Sequence, residues 1–176
     1  MILLRNGQEI KETVTLMHPE PLVPHHLSGQ DPSYFILAGV VFTSVTEPYL
    51  LSEYGCDYHR EAPVKLLDKL LHGHKETADE EIVIVSQILA SDATLGYEDG
   101  YNSQVISFNG TPVKNLRHLF TMVLACNERF MTLELEYSEL LVLDSQLAKS
   151  MTKEVLDRHG IPSMASKDLQ DLIQGI

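Results

Sequence analysis

Ser103-Gln-Val-Ile-Ser-Phe-Asn109-Gly110-Thr-Pro-Val113-Lys-Asn115-Leu-Arg-His-Leu119-Phe120 places a strand, a tight turn and a capped amphipathic helix in one short run. Val105, Ile106 and Phe108 are β-branched or aromatic strand formers. Asn109-Gly110 accepts the positive φ that a two-residue turn demands, and the Asn115 side chain can cap a helix N-terminus. Leu116, Leu119, Phe120, Val123 and Leu124 then recur with helical spacing and predict one stripe facing a core. A further strand, Phe130-Met-Thr-Leu-Glu-Leu-Glu136, follows.

Working outward, residues 34–45 are almost continuously apolar, which predicts a strand covered on both faces. Left open, so apolar an edge invites aggregation; the helix at residues 116–124 is expected to cover one side, and another element such as the insertion after Thr46, a ligand or another subunit the rest. Residues 47–78 form a long excursion with its own helix near Pro63, in which Val64, Leu66, Leu67, Leu70 and Leu71 take helical spacing and Gly73 ends the run. Residues 81–89 read as a strand and residues 91–102, rich in Asp, Gly and Tyr, as a loop. Beyond a strand at residues 139–143, Asp144 or Ser145 caps a helix with Leu147, Met151 and Val155 inward, stopped by Gly160 and Pro162. A short last helix carries Leu169, Leu172 and Ile173. At the other end, residues 2–5 and 10–16 flank Asn6-Gly7 as a hairpin, and three prolines in residues 18–24 predict an extended linker.

Five motifs in this order resemble a PDZ domain of the HtrA/Deg protease type: the strand, Asn-Gly and helix above; Asp31-Pro32-Ser33-Tyr34-Phe35-Ile36-Leu37-Ala38-Gly39-Val40-Val41-Phe42; Glu81-Ile-Val-Ile-Val-Ser-Gln87; Gly96-Tyr97-Glu98-Asp99; and Gly160-Ile161-Pro162-Ser163. The likeness spans residues 21–169 and is close in pattern to the second PDZ domain of plant Deg proteases. It implies an α+β fold, a small partly open barrel or sandwich capped by a groove helix, with a helical insertion and a C-terminal helical extension. It implies this division: residues 1–17 as the end hairpin of a preceding PDZ domain, 18–32 as linker, 33–143 as the PDZ domain with insertion 47–78, and 144–176 as extension.

PDZ domains bind by strand addition, so the resemblance implies a peptide-binding site. Tyr34, Phe35, Ile36 and Leu37 would form the carboxylate loop, Ala38, Gly39 and Val40 would open the pairing strand, and Leu116, Leu119, Phe120 and Val123 would make the helix wall. Ile36 stands where such loops carry Gly, adding a Cβ where a carboxylate must approach closely. That departure favours an internal segment of a neighbouring domain or subunit as occupant over a free C-terminus. The function implied is a non-catalytic module that assembles and regulates an oligomeric serine endopeptidase; the alternative is recruitment of misfolded proteins by their C-terminal peptides. Expected partners are the protease domain and first PDZ domain of the parent chain, neighbouring subunits and unfolded or peptide substrates. No cofactor is implied, and the compartment suggested is the chloroplast, with mitochondrion and nucleus as alternatives.

Composition narrows the classes further. Thirteen basic against twenty-five acidic residues give a net charge of −12, which argues against nucleic acid or anionic lipid held on a general basic surface. No apolar run is long enough to predict a membrane span. A Ser nucleophile in a Gly-rich turn, as Gly-x-Ser-x-Gly or Gly-Asn-Ser-Gly-Gly, does not occur, so catalysis is expected elsewhere in a longer parent. His25-His26 and His72-Gly73-His74 lack further ligands at a metal-site spacing, and Cys56 and Cys126 read as two free thiols.

Overall fold

The computed structural model describes residues 2–13 and 20–174. At the N-terminus, β1 (Ile2–Arg5) and β2 (Gln8–Lys11) form their own two-stranded sheet. Arg5 pairs with Gln8 across Asn6 and Gly7, both at positive φ (52° and 76°), as the two-residue turn requires. The second strand thus starts two residues earlier than its apolar run suggests; its expected end at Leu16, and the expected start of the linker at His18, lie outside the described residues. Within the same stretch, residues 20–24 are pinned: Pro21 bridges His74, the Leu22 N–H donates to the Gly73 carbonyl (3.0 Å), and Val23 is fully buried.

The main sheet is open, not closed into a barrel, with strand order β3 (Tyr34–Leu37), β4 (Val40–Ser44), β5 (Val83–Ile88), β6 (Ser103–Phe108), β8 (Phe130–Leu135) and β9 (Leu140–Asp144), and short β7 (Thr111–Pro112) beside β6. All its pairings are antiparallel. Asn109 and Gly110 make the β6–β7 turn at φ 45° and 76°. The single strand expected over residues 34–45 is in fact two, folded back at Ala38-Gly39. Both turn residues have positive φ (53° and 106°), and a Cβ on Gly39 would sit 2.5 Å from the Leu89 carbonyl oxygen, so only glycine fits there.

Three helices fill the excursion after β4: α1 (Glu47–Tyr54), α2 (Tyr58–Glu61) and α3 (Val64–His72). Thr46 caps α1 by accepting the Tyr49 N–H, and Pro48 sits in its first turn, where a missing donor costs nothing. In α3 the buried face is Leu66 and Leu70 with Leu67 half-buried, whereas Val64 and Leu71 are exposed. Helix α4 (Leu116–Ala125) begins at Asn115, whose side-chain oxygen accepts the His118 N–H at 2.7 Å. Helix α5 (Ser145–His159) begins at Asp144, which accepts from Gln146 and Leu147, and ends at left-handed Gly160. Its inward residues are Ala148, Thr152 and Val155; Leu147 is exposed, so the expected face is turned by one position. A 3₁₀ turn (Lys167–Leu169) leads into α6 (Gln170–Gln174).

Two apolar cores result, one on each side of the sheet. The larger joins β3, β4, β8 and β9 to α4, α5 and the C-terminal segment; the smaller joins Val45, Ile82 and Ile84 to Val23, Leu50, Leu66 and Leu70. The covered faces expected of the strand at residues 34–45 are therefore supplied by α4 on one side and the excursion on the other. No helix among the described residues is long and apolar enough to cross a membrane.

Candidate functional site: a strand–helix slot closed by the chain itself

Fold-back at Ala38-Gly39 decides the site. Tyr34, Phe35, Ile36 and Leu37, expected as a loop, form a strand, and Val40, expected to open an exposed pairing strand, lies on β4, which is flanked by β3 on one side and β5 on the other. The edge of β4 to which a peptide would add already carries β3, antiparallel, from Tyr34 opposite Thr43 to Leu37 opposite Val40. The side chains between this pair and the helix come from the chain itself. Phe35 is wholly buried, its ring 4.7 Å from that of Phe42 and 4.6 Å from that of Phe120 on α4. Stacked aromatic pairs of this kind add to the gain from area alone. Leu37, Leu116, Leu119 and Val123 are equally inaccessible, so the expected helix wall meets β3 as core.

Filling that slot moves the open edge one strand outward. With Phe35 and Leu37 turned to β4, the antiparallel ladder directs the backbone groups of Tyr34, Ile36 and Ala38 away from the sheet. Each of those three N–H groups has a partner within the chain. The Tyr34 N–H donates to Ser166 Oγ at 3.0 Å, the Ile36 N–H to the Met164 carbonyl at 2.7 Å, and the Ala38 N–H to Thr152 Oγ1 at 2.8 Å. In return the Ser166 N–H donates to the Tyr34 carbonyl at 2.9 Å, and Phe35 and Ala165 face each other as an antiparallel bridge. Residues 163–166 thus add a short strand to β3, and the α5 hydroxyl of Thr152, which itself donates to the Ala148 carbonyl, completes the row.

A charged clasp holds the added segment. Arg117, at the start of α4, donates to both carboxylate oxygens of Asp171 at 2.9 and 3.1 Å and to the Asp168 carbonyl. Ser33 Oγ donates to Asp168 Oδ2 at 2.8 Å. The Arg117 hydrogen bond is the main reason the Asp171 carboxyl is held below the usual carboxylate range. Beneath the clasp Ala165 and Leu169 are buried among the Phe35, Leu116 and Phe120 cluster. The expectation of a second element over the apolar edge thus finds its answer in residues that the reading assigned only to a terminal extension.

The remaining candidate residues fall apart from this site. His25 meets Glu47 at 2.5 Å, and Tyr58 donates to the other oxygen of the same carboxylate at 2.6 Å, tying residues 24–26 to the excursion. The Tyr58 hydrogen bond, then that of His25, lowers the Glu47 pKa. Among the described residues no three His, Cys, Asp or Glu side chains converge as a metal site. Cys56 is exposed and Cys126 buried, both as free thiols.

The chain is 38% identical over 167 residues to "Protease Do-like 2, chloroplastic" of Arabidopsis thaliana, covering 95% of this chain and 27% of that protein. It is 36% identical over 168 residues to "Protease Do-like 4, mitochondrial" of the same plant, covering 96% and 29%. "Serine protease DegP homolog" of Plasmodium falciparum (isolate 3D7) is 28% identical over 121 residues, covering 69% and 13%. The chain therefore spans little more than a quarter of the length of the plant relatives it matches. The sequence pattern of the PDZ domain matches residues 23–168, from the buried Val23 to the clasp at Asp168, and with that match laid over the strand–helix slot the chain belongs to the PDZ domain family.

Proposed function

We propose that this PDZ domain is a self-occupied clamp: a non-catalytic interaction module of a Deg-type serine endopeptidase that serves subunit assembly and regulation rather than strand-adding capture of free C-termini. One observation carries the reading. All three outward N–H groups of β3 are hydrogen-bonded within the chain, so an incoming peptide finds no row of donors to pair with. The catalytic domain and first PDZ domain then belong to the rest of a longer parent, in keeping with the small fraction of the plant relatives that this chain spans. Residues 1–17 are read as the end hairpin of a preceding PDZ domain, 18–32 as the link to it, and 144–176 as the extension that closes the slot. The chloroplast is the proposed compartment, from the name of the Do-like 2 relative.

Titration of the chain with apolar peptides ending in a free carboxylate, read at the Tyr34 and Ile36 amide resonances, tests the clamp. No displacement of the 163–166 segment is expected, and Ala165→Arg, which puts a charge in a fully buried position, should loosen the segment and admit such peptides. Shifts at Tyr34 and Ile36 in the unaltered chain at micromolar peptide contradict it.

A further inference from the structure

A cleft of about 460 Å³ remains where the added segment leaves β3. Its walls are Leu37, Val123, Leu124, Leu156 and Met164, drawn from β3, α4, α5 and the segment itself. The polar lining is Thr152 and two lysines, Lys149 and Lys153. Those lysines stand four apart on α5, so both side chains leave the same helix face. The ion pairs formed by the described residues use neither of them; Lys149 donates only to the Cys126 carbonyl at 2.7 Å. In a chain of net charge −12, two adjacent uncompensated cations beside an apolar cleft are a local exception.

We propose that this cleft is a binding site for a medium-chain fatty acid, with the acyl chain against Leu124, Leu156 and Met164 over a floor of buried Leu37 and Val123, and the carboxylate between Lys149 and Lys153. Volume and lining suit a small amphiphile, since ligand sites of this size are mostly apolar with a few polar groups that fix orientation. Charge selects the head group: a carboxylate seated between the two lysines gains charge-assisted hydrogen bonds that an uncharged group does not. Backbone chemistry selects against a peptide. The Ala38 and Ile36 N–H groups nearest the cleft are taken by Thr152 and Met164, so a peptide main chain entering here would leave its own polar groups without partners, whereas an acyl chain has none to satisfy. The site goes beyond the clamp reading, although it uses the docked segment as one wall.

Calorimetric titration of the full chain with decanoate, with decanol as the uncharged control, is the test. Saturable one-to-one binding is expected, tightening about fourfold for each added methylene from octanoate to decanoate. Decanol, and decanoate on the Lys149→Gln/Lys153→Gln double variant, should each bind at least tenfold more weakly, and Lys153→Gln alone, which leaves the Lys149–Cys126 bond in place, should weaken decanoate at an unchanged unliganded melting temperature. Absence of saturation, equal binding of decanol and decanoate, or displacement of decanoate by a peptide with a free C-terminus each overturns the assignment. Amide exchange at Tyr34 and Ile36 separates this from the clamp: decanoate that unprotects them lies under the segment and not in the cleft, which refutes the site, whereas their lack of protection without ligand counts against the clamp alone.

Discussion

The two edges of the main sheet are closed in different ways. At β3 the outward N–H groups are met in succession by Ser166, Met164 and Thr152, and the covering residues Ala165 and Leu169 are buried. At β9 a single phenol does the work: Tyr97 Oη donates to the Val142 carbonyl at 3.3 Å and accepts the Val142 N–H at 3.2 Å, while Leu140 and Val142 stay partly exposed. The apolar edge beside α4 receives a covering segment; the edge whose side chains alternate inward and outward receives a local plug. Edge strands need one device or the other, and the amount of apolar surface beside the edge decides which.

Substitutions should separate the two edges, the strongest at the β3 side. Phe35→Ala removes the ring stacked between Phe42 and Phe120 and is expected to cost about 3–5 kcal/mol in chemical denaturation. Gly39→Ala forces a Cβ against the Leu89 carbonyl at a φ of 106° and should cost about 3 kcal/mol; a cost below about 1 kcal/mol would show that the β3–β4 turn is not closed as described. Thr152→Val strands the Ala38 N–H and should cost about 1–3 kcal/mol, with Thr152→Ser restoring most of it. Tyr97→Phe, at the other edge, should cost no more than about 1 kcal/mol and leave the amides of β3 as protected as before.

Acid should have the smallest effect on the β3 side. Arg117 holds the Asp171 pKa below its ordinary value, so the clasp contributes fully above the unfolded carboxylate pKa of about 4 and is lost as pH falls through the depressed value. Exchange of the Ser166 amide, corrected for its intrinsic pH dependence, should rise slightly between pH 5 and pH 3.

Much of this was legible in the chain. Asn109-Gly110, Asn115 and the Leu116–Leu119–Phe120–Val123 stripe are local signals that the fold obeys. The fold-back at Ala38-Gly39 was not, because Ala38 takes a left-handed conformation that its Cβ disfavours and that only burial and the Thr152 bond sustain. A continuous apolar run therefore read as one strand. The inward face of α5 was missed for a related reason: close approach to that turn selects small Ala148 and hydroxyl-bearing Thr152 where a search for large apolar residues selects Leu147. Residues 163–166 carry no strand-like pattern, and only the need to cover an apolar edge announced that something must lie there.

Native-state hydrogen exchange at the backbone amides of Tyr34, Ile36 and Ala38 tests the central claim most directly. Slow exchange is expected for all three, with Ile36 protected to nearly the same degree as Phe35, whose amide faces β4. Exchange of Tyr34 and Ile36 at the rate of a solvent-exposed strand edge, while Phe35 stays protected, would contradict it by leaving β3 open to an incoming peptide.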